Sequence, residues 1–207
     1  VKNNSRLENM YLETHNQMIA KNGFTPKALW GSKQSQEKRF EALSKLFLNK
    51  EGFTVLDLGC GLCHFNDYLI KNGFSSINYI GADINKNFID EVRKTKKGIQ
   101  LINGGVKQIL KELECSVDYI VASGIYNLGN NTNETQKTFV EDFTSLYSII
   151  NIGFGVNFLS SESNNKDEIS VYHEPTDLFK ICNSFFTKRI VLSHDYLPHD
   201  FTILAFK

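Results

Sequence analysis

The stretch Thr54-Val55-Leu56-Asp57-Leu58-Gly59-Cys60-Gly61-Leu62-Cys63 decides the fold. Its first five residues are β-branched or aliphatic around one acid, the pattern of a short strand buried on both faces. Two glycines in alternation follow, and a helical pattern opens after them. Glycine is needed where the backbone turns sharply and lets a ligand lie against it. The acid at the strand end separates the possible ligands. A carboxylate repels a phosphate and attracts an ammonium or a hydroxyl, so the turn points to a cofactor with a positively charged end rather than to a nucleotide phosphate.

Working outward, strand and helix patterns alternate. Strands are expected at Thr54–Leu58, Asn78–Asp83, Ile99–Asn103, Val117–Ala122 and Phe154–Leu159. Helices carrying Phe65 and Leu69, Phe88 and Val92, Ile109 and Leu113, and Phe139 and Phe143 separate them. Such alternation predicts right-handed βαβ units in a doubly wound, Rossmann-like α/β sheet. A helix from Pro175 to about Ser184 precedes two further runs, Arg189–Ser193 and Phe201–Phe206. The short connection between them predicts a C-terminal antiparallel hairpin, making a mostly parallel seven-stranded sheet. Before Phe53 the periodicity is helical, over Asn9–Lys21 and again after Ser32, a candidate N-cap. One domain is expected, with residues 1–50 as an N-terminal helical cap and residues 51–207 as the core.

The bulk numbers suit this reading. The chain has 207 residues, enough for one sizeable core, and is 41% hydrophobic and 22% charged. Lysine plus arginine equals aspartate plus glutamate, 23 each, so no overall electrostatic footprint for nucleic acid exists. The longest apolar runs are too short to span a bilayer. No signal-like n- and h-region opens the chain as given, and its start at Val1 rather than Met leads us to expect further residues upstream. Four cysteines are too few for a disulfide scaffold in a chain of this size, and a reducing cytoplasm is the simplest compartment. Cys60 and Cys63 form a C-x-x-C with no second pair and no H-x-x-x-H nearby. Small side chains tolerated in a tight turn account for them better than zinc or redox chemistry, and no metal is expected.

In open α/β sheets, ligands bind beyond the carboxyl ends of the strands. Asp83 ends Tyr79-Ile80-Gly81-Ala82-Asp83, at the distance past the glycine turn where an acid holds a ribose diol. Alone, such an acid serves equally well as a helix N-cap; beside Asp-x-Gly-x-Gly the ribose reading prevails. A nicotinamide dinucleotide site competes, but it needs a third glycine where this chain has His64, and Asp57 is unfavourable near a pyrophosphate.

Val55-Leu56-Asp57-Leu58-Gly59-Cys60-Gly61, Gly81-Ala82-Asp83 and the terminal hairpin resemble the class I S-adenosylmethionine-dependent methyltransferases over roughly residues 53–207. More narrowly, Trp30-Gly31-Ser32, Ala122-Ser123-Gly124-Ile125-Tyr126-Asn127-Leu128, Asn157-Phe158-Leu159-Ser160 and His194-Asp195-Tyr196 with His199-Asp200-Phe201-Thr202 are similar to a group of small bacterial methyltransferases, some occurring with surface-polysaccharide genes. The resemblance implies S-adenosylmethionine as cofactor. Gly59 and Gly61 would face its methionine part, with Asp57 near the ammonium. Asp83 would hold the ribose, Ile84 would pack on adenine, and the Ser123 carbonyl would accept from the cofactor's amino group. Arg39 would pair with the cofactor carboxylate, a surface arginine being the competing reading. Two positions depart from the family: Cys63 stands where a third glycine is usual, and Gly105 where an acid commonly meets the adenine amine. Gly105 is retained as a cofactor residue through its backbone.

Methyl transfer from a sulfonium needs alignment of acceptor, methyl and sulfur, and a hydroxyl acceptor also needs a base. Candidate catalytic groups are Tyr126, past the fourth strand, and His194 and His199, in an expected polar hairpin loop at the cofactor edge. The bland alternative for the histidines is a polar turn. Asn127, Asn157 and Trp30 are candidate substrate contacts, with ordinary loop or packing roles as the alternatives. The expected acceptor is a small polar molecule, a hydroxyl of a sugar or related metabolite; neither nucleic acid nor a membrane is expected as partner. A binding protein without turnover is the rival of another class.

Overall fold

The structure, a computed structural model, describes residues 6–25 and 32–207. In chain order it contains α1 (Arg6–Asn22), α2 (Lys33–Ser44), β1 (Thr54–Leu58), α3 (His64–Lys71), β2 (Asn78–Asp83), α4 (Lys86–Thr95), β3 (Gln100–Asn103) and α5 (Val106–Glu112). Then come β4 (Val117–Ser123), α6 (Thr132–Leu146), β5 (Ile150–Leu159), α7 (Pro175–Phe185), β6 (Arg189–Leu197) and β7 (Asp200–Phe206). The strands form one seven-stranded sheet in the order β3-β2-β1-β4-β5-β7-β6. The pairs among β1 to β5 are parallel. β7 inserts antiparallel between β5 and β6. The expected Rossmann-like sheet with its C-terminal hairpin is therefore the observed one.

Helices cover both faces, which is why the central strands are apolar along their whole length. On one face Phe139 and Phe143 of α6 and Leu178 of α7 pack on Ile120, Phe154 and Phe158. On the other, Leu43 of α2, Phe65 and Leu69 of α3 and Phe88 of α4 pack on Val55, Tyr79 and Val121. Phe139, Phe143, Phe154 and Phe158 are almost completely buried. Each is worth roughly 1.5–3 kcal/mol over an exposed position. Ser32 caps α2 as expected, its hydroxyl accepting from the Ser35 amide at 3.1 Å.

Several boundaries differ from the sequence reading. The helix after Ser32 stops at Ser44 although its apolar pattern continues to Phe47, and Leu46 and Phe47 are buried from the turn that follows. β5 begins four residues early, at Ile150, because Gly153 sits where a Cβ would lie 2.5 Å from the Ala205 carbonyl. Its glycines serve close strand approach rather than a break. β6 runs on through His194, Asp195 and Tyr196 to Leu197, leaving only residues 198–199 as the turn. The expected hairpin loop is thus mostly edge strand, with an irregular register between Ser193 and Leu197.

Candidate active site

The carboxyl ends of β1, β2, β3 and β4 open into a cavity of about 1240 Å³ that also meets α1 and α6. Its floor is the glycine turn. Gly59 has φ +73°, and a Cβ there would lie 2.1 Å from Ile125 Cγ2. No other residue fits against that loop. The Gly59 and Cys60 amides donate to the Ala82 carbonyl at 2.8 and 3.0 Å, stitching the turn to β2. Cys63 adopts φ +53°, a left-handed conformation in which glycine is unstrained. That agrees with its place at a family glycine position. Cys60 and Cys63 are buried free thiols, and the hydrogen bond with the Cys63 thiol, together with burial, pushes the Cys60 thiol up.

Two acids face this floor. Asp83 accepts from the Gly61 amide at 2.8 Å through one oxygen and from the Asn85 amide at 2.7 Å through the other. Each carboxylate oxygen has a further lone pair, so Asp83 both braces the turn and keeps capacity for a diol. Burial pushes its carboxyl up, and the two amides hold it back. Asp57 accepts the Tyr79 hydroxyl. Burial raises its carboxyl to about 7, against that hydrogen bond, with Asp83 adding to the rise. Two adjacent buried acids are relieved by a cation, not by a phosphate. This donor and acceptor set, with a glycine cradle beneath it, fits S-adenosylmethionine.

Ile84, Gly105, Ser123, Asn127 and Tyr126 also line the cavity. Asn103 Nδ2 donates to the Asp83 and Ile84 carbonyls at 3.0 and 3.3 Å, holding the loop past β2. Gly105 precedes α5 and brings no side chain. Asn127 is committed to structure: its Oδ1 accepts from the Leu159 amide at 2.9 Å. Tyr126 has its ring among Phe139, Phe143 and Phe158, and its hydroxyl donates to Asp142 at 3.0 Å. Burial and that carboxylate push its phenol well above the ordinary value, so it does not serve as a base near neutral pH.

The remaining candidates lie apart. Arg39 borders the cavity, but its Nε donates to Asp200 Oδ2 at 2.6 Å in a buried ion pair. Burial raises the Asp200 carboxyl to about 6, the guanidinium holding it below what burial alone would give. Asn157 is fully buried and does not reach the cavity. Its Oδ1 accepts the Ser123 hydroxyl at 2.7 Å and its Nδ2 donates to Thr202 at 2.6 Å. Tyr196 continues this chain to Asp200 at 2.5 Å. His194 and His199 do not line the cavity either. The imidazole of His194 lies against Phe201 with its buried Nε2 unpartnered, and burial lowers that of His199. The expectation of both in a loop facing the cofactor is corrected: His194 lies within β6, and His199, though in the two-residue turn, is off the cavity wall. Trp30 lies outside the described residues.

Among the lining residues that the sequence reading missed are Glu8, Tyr11 and Asp142. Asp142 had a readable signal, since it shares a helical face with the buried Phe139, Phe143 and Leu146. Burial raises its carboxyl to about 6, against the Tyr126 hydrogen bond, with Glu8 adding to the rise. Among the described residues, no group of three or more His, Cys, Asp or Glu is placed to hold a metal ion. Among them too, no helix is long and apolar enough to cross a membrane.

Sheet order, glycine turn and the paired acids at β1 and β2 together define a class I S-adenosylmethionine-dependent methyltransferase. Comparison agrees. The chain is 30% identical over 161 residues, 75% of its length and 93% of the relative's, to a Mycobacterium tuberculosis protein whose name places it among the methyltransferases, Rv1506c. This chain belongs to that methyltransferase family, and its cofactor is S-adenosylmethionine. No family model matches it. Magnesium protoporphyrin IX methyltransferase of Synechocystis PCC 6803, solved with S-adenosylmethionine bound, superposes with a TM-score of 0.68 at 13% identity over 100% of each chain. An S-adenosylmethionine-dependent methyltransferase of Aquifex aeolicus gives 0.60 at 14% identity, over 93% of this chain and 97% of that one. The 1,6-didemethyltoxoflavin N1-methyltransferase of Burkholderia thailandensis gives 0.63 at 10% identity, over 97% and 87%. These neighbours share the fold, and the protoporphyrin and toxoflavin enzymes among them act on different acceptors.

Proposed function

We propose that this protein methylates a hydroxyl of a small, uncharged polar acceptor, of the size and character of a sugar or related metabolite. The observation that carries this reading is the composition of the cavity wall. Among the described residues, six carboxylates line it, from Glu8, Asp57, Asp83, Glu141, Asp142 and Asp167, against the cations of Arg39 and Lys107. An acceptor bearing phosphate or carboxylate would be repelled there, whereas hydroxyls donate well to carboxylates. About 1240 Å³ also exceeds the range of roughly 300–1,000 Å³ usual for one ligand, which leaves room for a second molecule beside the cofactor.

The cofactor supplies an electrophilic methyl group on a sulfonium. The protein's part is to align the acceptor and to take a proton. Asp142 is the carboxyl suited to the second task, because its raised value brings it nearer to neutral pH while it stays ionised enough to accept. Tyr126 and Asn127 position it and the loop past β4; Gly59, Gly61, Asp83, Ile84, Gly105 and Ser123 are the proposed cofactor contacts. Arg39 and Asn157 act one step removed, through the hydrogen-bonded chain that ends at Ser123. The four free thiols support a reducing, cytoplasmic setting.

A methyl-labelled cofactor with a panel of acceptors tests the reading. Label should pass to neutral glycosides and polyols in preference to sugar phosphates and carboxylates. Transfer to anionic acceptors alone would overturn it.

A further inference from the structure

We propose that the Tyr11 hydroxyl, on α1, donates a hydrogen bond to the acceptor's reacting oxygen, so that Tyr11 and Asp142 hold one hydroxyl between them. The inference rests on the acceptor reading above, in which Asp142 takes the proton. Tyr11 lines the cavity, and its oxygen accepts from the Leu128 amide, past β4, at 3.3 Å. A phenol has one proton of its own to give. Among the described residues no group accepts it. Tyr126, on the same wall, differs: its proton goes to Asp142 Oδ2 at 3.0 Å. That leaves Asp142 Oδ1 for the cavity. The three groups stand close enough to act on one another. Burial pushes the Tyr11 phenol well up, the Leu128 amide holding it back and Asp142 adding to the rise. Tyr11 in turn adds to the rise at Tyr126. Tyr11 therefore keeps its proton near neutral pH and offers it to the cavity. An unused donor and an unused acceptor share this end of the site. A hydroxyl satisfies both through one oxygen, whereas an ammonium only donates and a carboxylate only accepts.

The setting of α1 fixes where this hydroxyl stands. One turn before Tyr11, Leu7 is buried, its Cδ1 3.6 Å from where a Gly129 Cβ would lie. One turn after it, the His15 ring stacks on that of Tyr11, with centroids 6.0 Å apart and planes 11° from parallel. His15 Nδ1 donates to the Tyr11 carbonyl at 2.9 Å, and the far side of its ring meets the Phe88 ring edge-on at 5.8 Å. Asn16 Oδ1 accepts from Asn85 and Asn87, past β2, each at 3.0 Å. The helix is thus clipped to the loops past β2 and β4, and Tyr11 is held between the two clips.

Titration calorimetry on the full chain, saturated with S-adenosylhomocysteine, tests the assignment. The probes are the neutral glycoside or polyol that accepts most label and its deoxy analogue, which lacks the methylated hydroxyl. Tyr11→Phe removes the donor and keeps the ring. It should weaken binding of the hydroxyl probe about tenfold, the scale of one hydrogen bond. The deoxy probe should bind the wild type and Tyr11→Phe alike, and S-adenosylhomocysteine affinity should be unchanged. An unchanged affinity for the hydroxyl probe would overturn the proposal. So would an equal loss for both probes, or a parallel loss of S-adenosylhomocysteine binding, because Tyr11 would then act through the packing of α1. Failure of the acceptor reading looks different: the wild type would label no neutral probe, and the assignment to Tyr11 would fall with it.

Discussion

The two halves of the sheet edge use the same kinds of side chain to opposite ends. At β1 and β2, Asp57 and Asp83 are buried beside a glycine turn and held short of full pairing, so their cavity-facing capacity is kept. At β5, β7 and β6, Asn157, Thr202 and Asp200 are equally buried and Tyr196 is half-buried, yet each is consumed by its neighbours, and Arg39 closes the chain. A buried polar group thus says little about function until its partners are counted. The cofactor half is a site because its acids keep unused hydrogen-bonding capacity; the Asn157–Thr202–Tyr196–Asp200 chain is a wall because its members satisfy one another.

The comparison can be broken most forcefully at Asp200. Asp200→Ala leaves Arg39 buried without its carboxylate and should cost about 3–5 kcal/mol of stability in urea titration. A loss below 1 kcal/mol would show that the hairpin network is not a structural unit. Asp83→Ala should act on the other half. It removes the amide acceptor for Gly61 and the proposed ribose contact, and S-adenosylhomocysteine affinity should fall about a hundredfold, or roughly 2.7 kcal/mol. A smaller effect concerns Asp57, whose carboxyl stands at about 7 in the unliganded protein. A cationic cofactor favours its ionised form and lowers that value. Binding near pH 7 should therefore release a fraction of a proton, and affinity should rise from pH 6 to 8. Calorimetry in buffers of different ionisation enthalpy reads the proton count, and Asp57→Asn should abolish it. Smallest of all should be His194→Ala and His199→Ala, off the cavity wall. Loss of turnover in either, with cofactor binding kept, would return the hairpin to the catalytic machinery.

The cofactor half was the legible half. Thr54–Leu58 and Asn78–Asp83 carry dense apolar patterns around their acids, and the glycine turn between strand and helix is a local feature that one stretch of sequence contains entirely. The hairpin half was not, for reasons that are also local. Gly153 and Gly155 look like breaks but allow β7 to approach closely. His194, Asp195 and Tyr196 look like a loop because an edge strand tolerates polar residues. Glu8 and Asp142 were hidden differently: their importance depends on which distant elements they meet. Sequence separation conceals that, although an acid on the Phe139–Phe143 face of α6 was a usable hint.

The irregular register between Ser193 and Leu197 has one more consequence, for self-association. β6 is the outer strand of the sheet, with Val191 about half exposed, and its free backbone groups could template a strand from another molecule. A local loss of register bends such a strand and disrupts the ladder a newcomer would need. The same stretch that misleads a reader looking for a catalytic loop guards the sheet against growing by one more chain.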